Sequence, residues 1–182
     1  DGKLETVTDP NGLVAKYYYD AFGRVIRTTR AYGSDKPINS YAAFQWCDDI
    51  DDGMPCIDAL HDDLTVANPR YRISRHTDGG AGSYAYVDSL GREVKRATQS
   101  MDGRFVVVGS GYDAQGNNIK VCEPHFHDAT SSQHYFSAVE YDHLGRSVRS
   151  LSPHPDPQNS SNTIMVENIV DYDGLQRTSR ND

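Results

Sequence analysis

The chain has 182 residues, a formal net charge of −8 at pH 7 and only 37% hydrophobic residues. This acidic balance argues against nucleic-acid binding, because that mode needs a clustered basic face to neutralise phosphates. No apolar stretch approaches the roughly 20 residues that cross a bilayer, so we expect no membrane span. Asp1 does not begin an export leader, and we expect any such signal to lie outside this chain.

The composition favours strands and turns over helices. Twelve tyrosines and fifteen glycines accompany short apolar runs such as 105–108, and no long apolar stripe of helical period is present. The mean hydropathy of −0.68 is low for a self-contained globule. We therefore predict an all-β chain.

In chain order, the first predicted element is a strand, turn and strand around Tyr19, and this unit recurs with the pattern Tyr-Asp-x-x-Gly-Arg. The copies occupy 19–24, 87–92, 112–117, 141–146 and 172–177, after a partial copy at 9–12. Val87 stands in the tyrosine place of one copy, and Gln176 stands in the glycine place of the last. Apolar and aromatic residues alternate on both sides of the turns, so each copy predicts a β-hairpin.

The spacing of the motif has a physical interpretation. An aspartate can accept hydrogen bonds from backbone N–H groups of the turn that it begins, and a glycine three residues later can adopt the left-handed conformation that closes it. The residues predicted to begin the turns are Asp20, Asp88, Asp113, Asp142 and Asp173. Those predicted to close them are Gly23, Gly91, Gly116 and Gly145, and the arginines that follow are Arg24, Arg92 and Arg146.

The tyrosine and arginine of each copy bracket the turn. The guanidinium could therefore stack on a ring or bond the aspartate, which is a structural role. An alternative is that exposed tyrosine and arginine ladders bind sugars or a partner protein. A residue that recurs in every copy is more simply a folding requirement.

Two further columns appear when the copies are aligned on the glycine. Three residues downstream stand β-branched residues, which predict one shared buried face: Ile26, Val94, Ile119 and Val148, with Ser179 as the exception. Two residues after the aspartate stand Phe22, Leu90, Leu144 and Leu175, with Gln115 as the outlier. We expect these turn tips to tuck against another part of the protein.

The longest interval between copies, about 31–83, is interpreted as an insertion. Cys47 and Cys56 close a short acidic loop within it, and we predict a disulfide there, with two free thiols as the alternative. Cys122 is predicted to be a small core residue. The acidic run 48–53 predicts a solvated loop or an irregular calcium site, because its spacing does not fit an EF-hand. The segments 77–83 and 152–162 are predicted to be exposed loops, and the second is too rich in proline for a central strand.

Candidate chemistry in the chain is sparse. His125 and His127 would share one face of a strand with His134 nearby, a grouping that could hold zinc or nickel, but surface histidines are the favoured interpretation. Neither a Gly-x-Ser-x-Gly elbow nor a phosphate-binding glycine loop is present. We expect no cofactor and no enzymatic activity.

The repeated Tyr-Asp-x-x-Gly-Arg units resemble the YD repeats of Rhs proteins, of the B and C components of insecticidal Tc toxin complexes, of SpvB-related proteins and, more distantly, of teneurins. The resemblance runs from about Asp9 to the C-terminus. It implies an array of antiparallel hairpins forming part of a long spiralling sheet, with residues 1–182 as one segment of a larger protein. Gln176 and the long spacing between copies depart from the tight periodic arrays of the family.

The resemblance also implies a function. In toxin systems such a sheet forms a shell that encloses a cytotoxic polypeptide, so we expect a secreted or surface-exposed bacterial protein. Its partners would be the rest of its own polypeptide or another shell subunit, and an enclosed toxin chain. Nothing here matches the self-cleaving region of that family. The alternative is a cell-surface adhesion or carbohydrate-binding module.

Overall fold

A computed structural model of the chain describes residues 2–50, 54, 56, 69–129, 135–158, 162–174 and 176–181. These residues form fourteen β-strands and one 3-10 turn at Cys47–Asp49. The first seven strands are β1 (Thr6–Thr8), β2 (Val14–Tyr19), β3 (Val25–Arg30), β4 (Ile38–Trp46), β5 (Pro69–Thr77), β6 (Ser83–Asp88) and β7 (Glu93–Gln99). The others are β8 (Phe105–Tyr112), β9 (Asn118–Cys122), β10 (His125–Phe126), β11 (Phe136–Tyr141), β12 (Ser147–Pro155), β13 (Thr163–Asp173) and β14 (Gln176–Asn181). The all-β prediction is confirmed.

The strands form one antiparallel sheet in which each strand pairs with the next along the chain. The single deviation among the described strands is β10, which pairs with β8 beyond the end of β9, while β9 pairs with β11. In such a meander every second turn lies at the same edge of the sheet. The turns after β2, β6, β8, β11 and β13 therefore share one edge, and these are the five motif copies. We call this the motif edge.

The connection from β4 to β5 lies at the motif edge as well. It occupies the place where a motif copy would fall between those at Asp20 and Asp88. The segment 31–83 is therefore less an insertion than a continuation of the sheet, since β4 and β5 pair over seven residue positions.

The proline-rich segment also differs from the prediction. Pro153 and Pro155 lie within β12 and pair with β13, so only the part after Pro155 connects the two strands. The ladder between β11 and β12 ends at the pair Ala138–Leu151. Past that pair β12 has an open side, and proline, which lacks an N–H donor, is tolerated there.

The main core lies on one face of β5 to β8, under the connection that follows β4. Its buried members are Met54, Cys56, Tyr86, Val94, Ala97 and Val107. Cys47 is bonded to Cys56, and the Met54 carbonyl accepts hydrogen bonds from Tyr86 Oη at 2.9 Å and from Arg72 Nη1 at 3.2 Å. The disulfide thus holds the connection against the sheet, over Arg72, which is 1% exposed. Cys122 is buried and is not part of a disulfide, and its Sγ donates to the Tyr135 carbonyl at 3.4 Å.

Both apolar columns read from the motif copies differ from expectation. Val94 is 5% exposed but Ile26 is 36% exposed, so the downstream column does not form one buried face. The turn tips do not tuck inward either, because Phe22 is 85% exposed, Leu90 74% and Leu144 64%, while Leu175 lies outside the described residues.

The downstream column has a different explanation. In four copies the ladder shifts by one residue after the turn, and the residue that it skips is the β-branched one: Ile26, Val94, Ile119 and Val148. A β-bulge of this kind bends the strand and increases its twist. The column therefore marks a recurrent bulge.

Candidate functional site

The aspartate that begins each motif turn also closes it. Asp20 Oδ1 accepts hydrogen bonds from the backbone N–H groups of Phe22 and Arg24, both at 2.9 Å, and Asp20 Oδ2 accepts one from Arg24 Nε at 2.6 Å. Gly23 N–H donates to the Asp20 carbonyl at 3.1 Å, with φ at +84°. Glycine adopts this left-handed conformation without a steric penalty. The result is a three-residue hairpin loop that ends in a left-handed glycine.

Three further copies repeat this geometry. Asp88 and Asp142 each accept two backbone N–H bonds at 2.9 Å, and they bond the Nε atoms of Arg92 and Arg146 at 2.8 and 2.7 Å. Asp113 bonds Asn117 Nδ2 at 2.8 Å in place of a guanidinium. The closing glycines Gly91, Gly116 and Gly145 have φ values of +81°, +92° and +75°.

These hydrogen bonds shift the pKa values of the aspartate carboxyl groups. Burial alone would raise the pKa of Asp20 and Asp88, but the N–H and guanidinium donors of the turn outweigh it, and each pKa lies below its ordinary value. The Asn117 amide is the main cause that lowers the pKa of Asp113, and the Arg146 backbone N–H is the main cause at Asp142. All four turns therefore favour the ionised aspartate.

The last copy forms a different turn. Asp173 pairs directly with Gln176, and the ladder between β13 and β14 continues without a shift, so only two residues connect the strands. Gln176 replaces the glycine that closes the other turns, and the longer loop with its bulge is absent from this hairpin. Tyr172 nevertheless occupies the tyrosine position of the motif.

Successive hairpins are coupled through the arginines and tyrosines. Each motif arginine directly precedes one strand and lies over an aromatic ring on the next strand of the sheet. The pairs are Arg24 with Phe44 (4.0 Å to the ring centroid), Arg92 with Tyr112 (4.5 Å) and Arg146 with Tyr172 (4.3 Å). A guanidinium over an aromatic face is attracted by the ring quadrupole. Each arginine thus bonds its own turn and stacks on the next hairpin.

The hydroxyl groups of the motif tyrosines point in the opposite direction, toward the preceding part of the sheet. Three of them donate to the carbonyl of the residue that follows the previous copy: Tyr112 to Glu93 (3.0 Å), Tyr141 to Asn118 (3.3 Å) and Tyr172 to Ser147 (3.1 Å). The Tyr19 hydroxyl donates to the Leu4 carbonyl at 2.8 Å. The motif tyrosine is therefore a hydrogen-bonded link between repeats. Phe44 occupies the same stacking position without a hydroxyl.

A related turn at the opposite edge escaped the sequence analysis. Ser100 takes the aspartate place between β7 and β8, Gly103 has φ at +87°, and Arg104 Nε bonds Asp102 Oδ2 at 2.8 Å. The Ser100 hydroxyl and the Arg104 donors lower the pKa of Asp102 to about 2. The run Asp102-Gly103-Arg104 was the available signal, but it lacks the tyrosine and the motif spacing.

The histidines do not assemble into a site among the described residues. His125 is 7% exposed and its Nδ1 donates to the Glu123 carbonyl at 2.9 Å, while the His127 backbone N–H donates to the Phe105 carbonyl. His134 lies outside the described residues. Within them, no set of three or more His, Cys, Asp or Glu side chains is placed to hold a metal ion.

The acidic run is only partly described. Asp48 and Asp49 lie in the 3-10 turn, and Asp51 and Asp52 fall outside the described residues. No helix of the described chain is long and apolar enough to cross a membrane.

Comparison with known proteins agrees with the repeat geometry. The family model RHS Repeat matches residues 1–35, which contain the first complete copy at 19–24. No curated protein matches the chain. The turns at Asp88, Asp113 and Asp142 reproduce the hydrogen bonds of that matched copy. Residues 1–35 therefore carry a repeat of the RHS type, and the later motif turns share its geometry.

Proposed function

We propose that this chain is a non-catalytic wall segment of an Rhs-type shell, part of a secreted bacterial toxin protein that encloses a toxic polypeptide. The hairpins form the wall, and the motif residues at its edge serve architecture rather than chemistry. Partners of the segment would be neighbouring hairpins of its own polypeptide or of another shell subunit, and the enclosed chain.

The observation that carries this proposal is the large accessible surface. The chain exposes 12130 Å², whereas a compact protein of 20.2 kDa exposes about 8,800 Å². Beyond position 122, Val170 is the one described hydrophobic residue that is buried. A sheet with two largely uncovered faces suits a wall between an interior and an exterior, and it does not suit a solid globule.

The recurrent bulges support a curved wall. Four bulges follow motif turns, and all of these turns lie at one edge of the sheet. Because each bulge bends its strand and increases the local twist, bulges repeated at one edge add their effects in the same direction. A strip built this way curls as hairpins are added, which is what enclosure requires.

Electron microscopy of the full-length parent polypeptide, with and without the segment downstream of this one, tests enclosure. A hollow particle with β-walls that loses internal density when the downstream segment is deleted is the expected result. A solid or extended particle with exposed hairpins would contradict the proposal. Such a particle would favour the alternative, a surface adhesion module.

A further inference from the structure

A cavity of about 420 Å³ opens on the sheet where β3, β4 and β5 lie side by side. This volume falls within the range of small-molecule sites, about 300 to 1,000 Å³. We call it the hydroxyl pocket, because four hydroxyl side chains and one guanidinium line it: Thr28, Ser40, Thr77, Ser83 and Arg75.

The register of the strands places these five side chains on one face of the sheet. Thr28 pairs with Ser40, and Ser40 pairs with Thr77, so three hydroxyls form a row across three strands. Arg75 lies two residues before Thr77 on β5, and side chains two residues apart share a face. Arg75 in turn pairs with Ser83 on β6. The guanidinium therefore stands beside the row of hydroxyls.

The pocket opens on the face opposite the disulfide-closed connection. Arg72 Nη1 donates to the Met54 carbonyl of that connection. Because side chains alternate along a strand, Arg75, three residues later, points to the other face. Val25 and Ile26 border the pocket there and are 39% and 36% exposed. The pocket thus combines a polar base with an apolar rim on a surface that is accessible to solvent.

The charge around the pocket is opposite to that of the whole chain. The strands β3, β4 and β5 contain five arginines and no aspartate or glutamate, although the net charge of the chain is −8. Arg24 and Arg92 are each ion-paired with a motif aspartate, whereas the Arg75 side chain has no ion pair or hydrogen bond within the described residues. Asp78, the acidic residue closest to Arg75 in sequence, is already bonded to Asn39 Nδ2 at 2.8 Å. The Arg75 guanidinium therefore keeps its donors for an anion.

The hydroxyl groups indicate which anion fits. Ser40 Oγ and Thr77 Oγ1 are hydrogen-bonded to each other at 2.9 Å, and whichever of them accepts this bond keeps its own proton for another acceptor. The Thr28 and Ser83 hydroxyls have no partner within the described residues. A carboxylate offers two oxygens, which the fork of one arginine already occupies, whereas a phosphate monoester offers three. The number of donors therefore favours a phosphoryl group.

We propose that the hydroxyl pocket binds the phosphoryl group of an organic phosphate monoester. Arg75 donates to two of the phosphoryl oxygens, and the pocket hydroxyls donate to the remaining acceptor sites. The organic group packs on the apolar rim formed by Val25 and Ile26. The site does not depend on the wall function, because it needs only the sheet from β3 to β6.

An NMR titration of the isotope-labelled 182-residue chain tests this at a salt concentration of about 0.15 M. The probes are phenyl phosphate, benzoate as the carboxylate with the same ring, and a short peptide that carries phosphotyrosine. We expect saturable shifts of the Thr28, Arg75 and Ser83 amide signals with phenyl phosphate, with a dissociation constant on the order of millimolar, and weaker binding of benzoate.

The probes also separate the sources of the phosphoryl group. Tighter binding of the peptide than of phenyl phosphate would assign the pocket to a phosphorylated polypeptide, and equal binding would assign it to a free ester. The proposal is overturned if neither phosphate probe shifts these signals in a folded chain, or if benzoate binds as tightly as phenyl phosphate.

Variants test whether the pocket itself is responsible. Arg75→Gln should weaken phenyl phosphate binding about tenfold, because it removes the charged, bidentate donor. Thr28→Val keeps the shape of the side chain and should weaken binding about threefold through the loss of one hydrogen bond. The matched control is Arg70→Gln, which makes the same change in charge at an exposed position of β5 outside the pocket and should leave the affinity unchanged. Equal losses in Arg70→Gln and Arg75→Gln would mean that overall charge attracts the phosphate, and would contradict a defined site.

Discussion

At the scale of single residues, the turn glycines meet a conformational requirement and not a packing one. A Cβ atom added at Gly91 would have no neighbour within 4 Å, yet its φ of +81° is costly for any L-residue with a side chain. We expect Gly91→Ala to lower the free energy of unfolding by about 1–2 kcal/mol, measured by urea denaturation. Gly82→Ala is the control, since Gly82 has no positive φ, and an equal loss there would refute the conformational account.

The turn aspartates predict a dependence of stability on acid. Their pKa values are lowered in the folded protein, so their contribution is complete above the unfolded value near 3.8 and is lost as the pH falls through the folded value. For Asp102 this window runs from about pH 4 to about 2. Urea midpoints should stay level from pH 7 to about 5 and then fall. Asp102→Asn should make the urea midpoint fall less steeply with decreasing pH. An unchanged slope would show that the Asp102 carboxyl does not contribute to the acid dependence.

At the scale of elements, the disulfide-closed connection stabilises the sheet face that it covers. The double variant Cys47→Ser, Cys56→Ser should lose about 2–3 kcal/mol, since the bond closes a loop with a sequence separation of 9. Hydrogen exchange should accelerate first in β6 and β7, which contribute Tyr86, Val94 and Ala97 to the core. Cys122→Ala, which leaves the disulfide intact, is the control. Uniform acceleration over all strands would contradict a local role.

The contacts between hairpins can be tested by a double-mutant cycle. Arg146 and Tyr172 belong to successive repeats and lie 4.3 Å apart, measured from Cζ to the ring centroid. Arg146→Ala and Tyr172→Leu should each destabilise the chain, with a coupling energy of about 0.5–1 kcal/mol between them. The cycle between Arg146 and Tyr112, which is in another repeat pair, should give no coupling. Additive changes in stability for both pairs would contradict the proposed contact between successive hairpins.

The sequence predicted these elements unevenly, for physical reasons. The motif turns at Asp20, Asp88, Asp113 and Asp142 could be predicted because their hydrogen bonds join residues that are close in sequence. The stacking of Arg92 on the next tyrosine depends on which strands become neighbours, and spacing alone does not encode this. The Val94 column was misread as a buried face because a bulge interrupts the alternation on which that inference depends.

At the scale of the whole molecule, the strip should be larger in solution than a globule of its length. A compact protein of 182 residues has a radius of gyration of about 16 Å, whereas the thirteen successive strands of the open sheet extend over roughly 60 Å in the direction of the hydrogen bonds. Small-angle X-ray scattering of monomeric chain should therefore give a radius well above 16 Å. The uncovered faces and open strand edges should also cause association as concentration rises. A monomer with a radius near 16 Å would mean that the sheet closes on itself, and the wall function would then lose its physical basis.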